Sequence, residues 1–376
     1  MAKTYRLGVI GFAHMHINSL MRSFKELPNV EWVACADTVP AVPELIKVRS
    51  SRAWNMEFAQ TEIGIPKGYA DYREMLKKEK FDLVLFNPEN AQHGEVGEAI
   101  AAAGANMLTE KPMAASLPDA LRMYRAAQAA GVEVFINWPI TWSAPVRKAK
   151  TLVEQGVIGR VWEVRTRMGS MGPMSHGEAV KLPDGSERPM TDVEKGAMWW
   201  HRAGTGGGAL LDYCCYGACL SRWYIGKPAQ AAFGLTANVN SHWGSAEDNA
   251  VITVRFPEAL AVLEATWSTV DHGMPAGPFI YGTTGTIVVD RRGDEQVVKI
   301  LRGRGTEPEI IPGGDLPANR DTLGKEIINH FETGEPVHET LQADFNLDAE
   351  AILDAGIRSA ASGKMELVNN WTWGVG

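Results

Sequence analysis

Leu7-Gly8-Val9-Ile10-Gly11-Phe12-Ala13-His14-Met15-His16 runs from an apolar strand into a turn, then into a helical stretch that lasts to Leu27, where Pro28-Asn29 stops it. Gly11, Ala13 and His16 hold the spacing of G-x-G-x-x-G, which follows a strand, opens a helix and brings backbone up to a pyrophosphate. Gly11 can make the tight turn, and Ala13 is small enough for close approach of a phosphate. His16 stands where the third glycine would pack helix against strand, and departs from the pattern. A second strand, Val30–Ala36, ends at Asp37. A carboxylate there, about twenty residues past the turn, can accept hydrogen bonds from an adenosine ribose and repel a 2′-phosphate. Together these features point to NAD rather than NADP.

Outward from this unit, Tyr72–Lys78 reads as a helix and Phe81–Phe86 as a buried strand closed by Asn87-Pro88. Gly94–Ala103 is a helix, Asn106–Thr109 a short strand and Val132–Ile136 another. Ser116 caps a further helix, Pro118 sits in its first turn, and Gly131 closes it. Strands alternating with helices mean β-α-β units and a parallel sheet, so residues 1–137 are expected to form a Rossmann domain. After Trp138 the pattern changes. Ser143–Gln155 is a helix, and Val161–Met168 alternates, with Trp162, Val164, Thr166 and Met168 on one face. Asn249–Phe256 and Leu260–Trp267 form a hairpin across Pro257-Glu258-Ala259, and Ile280–Val289 reads as one more strand. Alternation marks sheets with one wet face. Residues 138–376 are therefore expected to form an α+β domain with a large open, mainly antiparallel sheet, and the fold class is α/β.

At 376 residues the chain suits two domains. Its net charge of −8 argues against nucleic acid or an anionic membrane as partner. No apolar run approaches a membrane span, and Leu7–Ile10 is too short for a signal-peptide core, so a cytoplasmic location is expected. Cys35, Cys214, Cys215 and Cys219 do not make a disulfide framework. Cys215 and Cys219 share a helix face, but no second thiol pair or histidine completes a tetrahedral site, so they read as small packing residues. His14 and His16 lack the carboxylate–histidine set of a metal site. No metal is expected; one of the two histidines should reach toward the nicotinamide or the substrate.

Three more segments complete the pattern: Asn87-Pro88 with His93 before a helix, Glu110-Lys111-Pro112 after a strand, and Gly206-Gly207-Gly208-Ala209-Leu210-Leu211-Asp212. With the N-terminal turn, the chain resembles the Gfo/Idh/MocA oxidoreductases along essentially its whole length. The resemblance implies a nicotinamide cofactor, a sugar, inositol or sugar-derived substrate, and a homodimer or homotetramer built by the open sheet. It places Gly11, Phe12, Ala13, His14, His16, Asp37, Asn87, Pro88, His93, Glu110, Lys111 and Asn137 around the cofactor. The family carries a histidine where this chain has Tyr216, and an acidic residue where it has Cys219.

Chemistry gives these residues roles of their own. Oxidising an alcohol needs a hydride acceptor, a group to take the hydroxyl proton, and donors to orient oxygens. Lys111 follows a strand at the carboxyl edge of the sheet, where α/β ligands bind; a partly desolvated lysine beside an oxidised nicotinamide would have a lowered pKa. Asp212 and Tyr216, at i and i+4, share a helix face. Tyr216 either does acid–base work beside Lys111, which would lower its pKa, or only packs and orients a hydroxyl. The Gly206–Gly208 loop can take unusual backbone angles or a close ligand. His201 either replaces the family histidine or is a satisfied surface residue, while Trp199 and Trp200 either stack on a sugar face or belong to the core. Asn137 either orients the nicotinamide amide or satisfies a turn. Specificity is expected from Met168–Arg202, with His176 and Arg188. Three functions compete: a dehydrogenase or reductase; an NAD-dependent glycosidase that oxidises its sugar transiently; and a non-catalytic NAD-binding regulator.

Overall fold

The computed structural model describes residues 3–173, 179–182, 184–275 and 277–369; His176 lies outside them. The first part alternates strand and helix: β1 Tyr5–Phe12, α1 Ile17–Lys25, β2 Val30–Ala36, α2 Arg52–Phe58, β3 Gly68–Tyr69, α3 Tyr72–Lys78, β4 Leu83–Asn87, α4 His93–Ala102, β5 Asn106–Glu110, α5 Leu117–Ala130 and β6 Val134–Asn137. The strands pair in parallel in the order β3-β2-β1-β4-β5-β6. This is the doubly wound dinucleotide-binding order, whose crevice opens outside the carboxyl ends of β1 and β4. α1 buries Ile17, Leu20, Met21 and Phe24, an i, i+3, i+4, i+7 stripe, against the sheet. The α5 cap forms as expected: Ser116 Oγ accepts from the Asp119 N–H, and Gly131 takes left-handed angles.

Gly11 is fixed by two constraints. Its φ is +80°, and a Cβ there would lie 2.5 Å from the Pro88 backbone nitrogen. The β1–β4 register shifts between Ile10 and Phe12, at this point.

The second part adds α6 Ala144–Glu154, β7 Val161–Gly169, the hairpin β8 Ala179–Lys181 and β9 Glu187–Pro189, α7 Asp192–Ala197, α8 Cys215–Ile225, β10 Ala231–Ala237, β11 Asn249–Arg255, β12 Leu260–Thr266, β13 Phe279–Gly282, β14 Thr286–Arg292, β15 Glu295–Leu301, β16 Glu309–Pro312, α9 Leu323–Thr333, α10 Ala343–Ser362 and β17 Glu366–Leu367. Nine strands form one sheet, β16-β15-β14-β13-β7-β12-β11-β10-β17. Every pair is antiparallel except β7–β12, which is parallel. The single strand expected over Ile280–Val289 is instead the hairpin β13–β14, which turns at Thr283–Gly285. α8 and α10 cover one face of the sheet. On the other face Leu235 and Leu260 stand exposed beside Val251 and Val262. α9 returns to the first part, where Leu323, Ile327 and Ile328 join the cluster that holds Leu7, Phe24 and Leu85.

One departure from regular helix matters for the site. Leu210–Cys214 winds as a π-helix before α8 begins, so Asp212 and Tyr216 do not sit on one continuous α-helix. The wider turn brings Tyr213 to the same cavity as both of them.

Candidate active site

A cavity of about 880 Å³ lies between the two parts. The turn after β1 contributes His14, Met15 and His16; the segment before α2 contributes Lys47, Val48, Arg49 and Ser50; Lys111 enters from the end of β5. The second part supplies Ser170, Lys181 and Glu187, along with Trp200, Asp212, Tyr213 and Tyr216. The site therefore sits at the switch-point crevice, closed by the second sheet.

Lys111 is 1% exposed. Its Nζ donates to both the backbone oxygen and Oδ1 of Asp212, each at 2.8 Å, and Trp267 Nε1 donates to Asp212 Oδ2 at 3.1 Å. The ammonium stands 4.6 Å from the centroid of the Tyr216 ring, over its face. Burial by itself would lower the lysine pKa, but the Asp212 carboxylate together with Tyr216 and Cys215 outweighs it and holds the group well above its ordinary value. This corrects the expectation of a lowered lysine. Tyr216 is corrected too: burial raises its pKa beyond what Lys111 offsets, so it stays a phenol. The lysine is a fixed cation and the tyrosine a donor.

On the dinucleotide turn, His16 Nδ1 lies 3.1 Å from Glu110 Oε2. Glu110 is 1% exposed, and Asn137 Nδ2 donates to its Oε1 at 2.5 Å. Trp142 Nε1 donates to Asn137 Oδ1, so the Asn137 amide is engaged at both ends in holding Glu110. His14 is buried against Trp200, and its Nδ1 accepts from the His16 backbone N–H. Burial, with the charges of His16 and Lys111, pushes its pKa well below the usual imidazole value.

The turn itself is braced from β4. The Ala13 and His14 N–H groups both donate to the Asn87 backbone oxygen, and Pro88 packs on Gly11. Phe12 is a core residue; its N–H donates to Asp37 Oδ1 and its carbonyl accepts from Asn55. Asp37 Oδ1 also accepts from Thr38 N–H and Arg52, while Arg52 reaches Glu89 as well. This neighbouring guanidinium offsets part of the charge by which Asp37 would repel a 2′-phosphate. The turn's N–H groups are partly spent within the chain; Lys47 and Arg49 line the same cavity, Lys47 paired with Glu57 and Arg49 with no acidic partner among the described residues. The Trp200 indole N–H, on the same wall, is buried without a partner. Crevice position, cavity size and this donor set fit a dinucleotide.

Three expected site residues lie elsewhere. His93 is buried, with Nδ1 on the Met113 carbonyl, away from the cavity wall. His201 packs edge-on between Trp243 and Trp267, 2% exposed with neither ring nitrogen partnered, and reaches the site only through Trp267 behind Asp212. Burial and Lys195 push its pKa down to about 4. Arg188 is held in a bidentate pair by Glu194. The Gly206–Gly208 loop makes its close approaches to the protein itself: a Cβ on Gly208 would lie 2.3 Å from Glu247 Oε1. All four cysteines are free and buried.

Residues 5–138 match the oxidoreductase family with an NAD-binding Rossmann fold, and residues 146–288 match the GFO/IDH/MocA C-terminal domain. The chain belongs to the Gfo/Idh/MocA oxidoreductase family. Among its relatives, a myo-inositol 2-dehydrogenase of Thermotoga maritima is 25% identical over 77% of this chain and 80% of its own length. The 1-carboxy-3-chloro-3,4-dihydroxycyclohexa-1,5-diene dehydrogenase of Comamonas testosteroni is 24% identical over 64% of this chain and 60% of its own. The aldose-aldose oxidoreductase of Caulobacter crescentus, solved with glycerol, superposes with a TM-score of 0.73 at 20% identity, covering 97% of this chain and all of that one. Against this Gfo/Idh/MocA background, Tyr213, Lys47 and Arg49 are cavity residues that sequence reasoning missed, while Ser170, Lys181 and Glu187 fall within Met168–Arg202, the stretch expected to supply specificity, without having been singled out. Only the basic run Lys47-Val48-Arg49 carried a signal. No described helix is long and apolar enough to cross a membrane.

Proposed function

We propose that this Gfo/Idh/MocA protein moves a hydride between NAD(H) and a secondary hydroxyl or carbonyl of a sugar, inositol or related polyol. The observation that carries the reading is the buried Lys111 ammonium, fixed by Asp212 on the wall of a cavity that also holds the dinucleotide turn. An ammonium has three N–H donors. Two are spent on Asp212, and the third is available to a substrate oxygen, where it stabilises the negative charge that develops as the O–H proton leaves. Tyr216 and Tyr213 supply phenol donors for neighbouring hydroxyls, as polyols require. Bound NAD supplies the hydride acceptor; Gly11, Ala13, Asp37, Lys47 and Arg49 are the residues placed to hold it. The names of the inositol and aldose relatives support a polyol or sugar substrate.

We place the enzyme in the cytoplasm, where nicotinamide pools are available, and read it as a homodimer or homotetramer. The apolar residues Leu235, Val251, Leu260 and Val262 on the uncovered sheet face support that assembly; light scattering giving a monomer mass would overturn it. Activity is tested by mixing the protein with NAD and a panel of inositols, aldoses and sugar acids. Net NADH formation is expected with at least one, and K111M should lose it while still binding NADH. Glycoside cleavage without net NADH would favour transient oxidation instead.

A further inference from the structure

We propose that His16, oriented by Glu110, is the base that takes the substrate's hydroxyl proton. This assignment rests on the dehydrogenase reading above and adds to it a residue at the position where the dinucleotide turn would carry its third glycine.

The case begins with what the other groups cannot do. Alcohol oxidation at neutral pH needs a group that is unprotonated beforehand and accepts a proton readily. Lys111 is an ammonium locked to Asp212, with its pKa raised by that partner against the opposing effect of burial. Tyr216 and Tyr213 are phenols whose pKa values burial raises further. The Asp212 oxygens are committed to Lys111 and Trp267. His14 is neutral but a poor base, for burial pushes its pKa well down, and its Nδ1 lone pair is taken by the His16 N–H.

His16 has what these lack. Its side chain is 31% exposed on the cavity wall. Nδ1 faces a carboxylate that is almost wholly buried, and Nε2 has no partner among the described residues. A carboxylate on one imidazole nitrogen fixes the tautomer with the proton on Nδ1, leaves the Nε2 lone pair for substrate and stabilises the imidazolium that forms. Glu110 is in turn held by Asn137, and Asn137 by Trp142, so the imidazole is aimed by a chain of three positioning residues. The charged and titratable groups around it are Glu110 from β5 at its Nδ1 and, sharing the cavity, His14 from its own turn, Lys47 and Arg49 from the segment before α2, Lys111 from the end of β5, and Lys181, Glu187, Asp212, Tyr213 and Tyr216 from the second part. In the oxidising direction the substrate O–H bond breaks and its proton passes to Nε2. The C–O bond becomes C=O, the carbinol hydride leaves for the oxidised nicotinamide, and the proton later returns to water. Reduction runs the same path backwards, with the imidazolium as acid.

The test uses full-length protein and whichever substrate the wild type oxidises. H16Q is expected to lower kcat for oxidation about 10²–10⁴-fold and to abolish the rise of log kcat/KM with pH on the acid side, with the NADH dissociation constant, read by fluorescence, changed less than about threefold. Added imidazole should restore part of the rate of H16G. E110Q, acting only through His16, should lower kcat with little change in KM. If H16Q turns over with the wild-type pH profile, the assignment is overturned while the dehydrogenase reading stands. If wild-type protein binds NADH but oxidises or reduces no member of the panel, the dehydrogenase reading itself fails.

Discussion

Asp212→Asn removes one charge from the ion pair at the centre of the site and leaves its shape almost intact. Lys111 is 1% exposed, with both its protein hydrogen bonds on Asp212 at 2.8 Å. Breaking a buried pair by removing one partner costs about 3–5 kcal/mol, because the remaining charge is left uncompensated. That is the loss expected at about pH 7, read as a lower urea midpoint at unchanged m. The pH dependence carries the sharper signature. In the wild type the folded lysine pKa is raised. Its stabilisation is therefore fully present below the unfolded value of about 10.4 and is lost only as pH climbs through the higher folded value. In D212N the largest opposition to burial is gone, only Tyr216, Cys215 and the residue-212 backbone oxygen remaining, and the folded pKa is expected to drop below the unfolded one. Between those two values the unfolded chain binds more protons, so stability rises with pH. Urea curves at about pH 7 and about pH 9 should show the variant recovering part of its deficit while the wild type gains nothing from this group. A loss under about 1 kcal/mol, or a deficit that does not shrink with pH, would refute the claim that Asp212 holds Lys111 charged.

Three further outcomes follow from particular contacts. Gly11→Ala puts a Cβ 2.5 Å from the Pro88 nitrogen at φ +80°; it should destabilise by about 2–4 kcal/mol and weaken NADH binding, and a variant with wild-type melting behaviour would contradict the turn geometry. Arg49→Ala should weaken NADH binding about tenfold and flatten its dependence on salt; titrations that superpose on the wild type would remove Arg49 from the diphosphate site. Asp37→Ala frees Arg52 for a 2′-phosphate, so the ratio of NADP to NAD affinity should rise about tenfold; a constant ratio means Asp37 does not read the ribose.

The parallel sheet was legible because its strands are short, apolar and separated by helices of regular period, and because Gly11 leaves a mark that only a turn of this kind requires. Val30–Ala36 and Tyr72–Lys78 fall where the pattern puts them. The hairpin β11–β12 was equally plain from its alternation, whereas the turn inside Ile280–Val289 was hidden by apolar residues on both sides of Gly282 and Gly285. Lys111 and Asp212 could be singled out, but not that they pair, since 101 residues separate them. Tyr213 was invisible because a π-turn has no sequence period of its own, and the cavity wall at Lys47–Ser50 because the chain between β2 and α2 follows neither helical nor strand spacing. His201 misled for a physical reason: beside two tryptophans and a glycine loop it looks like a sugar platform, yet two other tryptophans, Trp243 and Trp267, distant in sequence, hold it in the core behind Asp212.

The placement of the chemistry follows from the end of one strand. Glu110 closes β5 and Lys111 is the first residue beyond it, and the two, adjacent in sequence, take partners from different parts of the chain. Glu110 turns to His16 on the dinucleotide turn, and Lys111 turns to Asp212 on the second part. Each buried charged side chain thereby finds a polar partner on a different element, as burial of charge demands, and β5 ties the cofactor side to the substrate side. A shift between the two parts would strain the Lys111–Asp212 pair while leaving Glu110 and His16, both carried by the first sheet, in register.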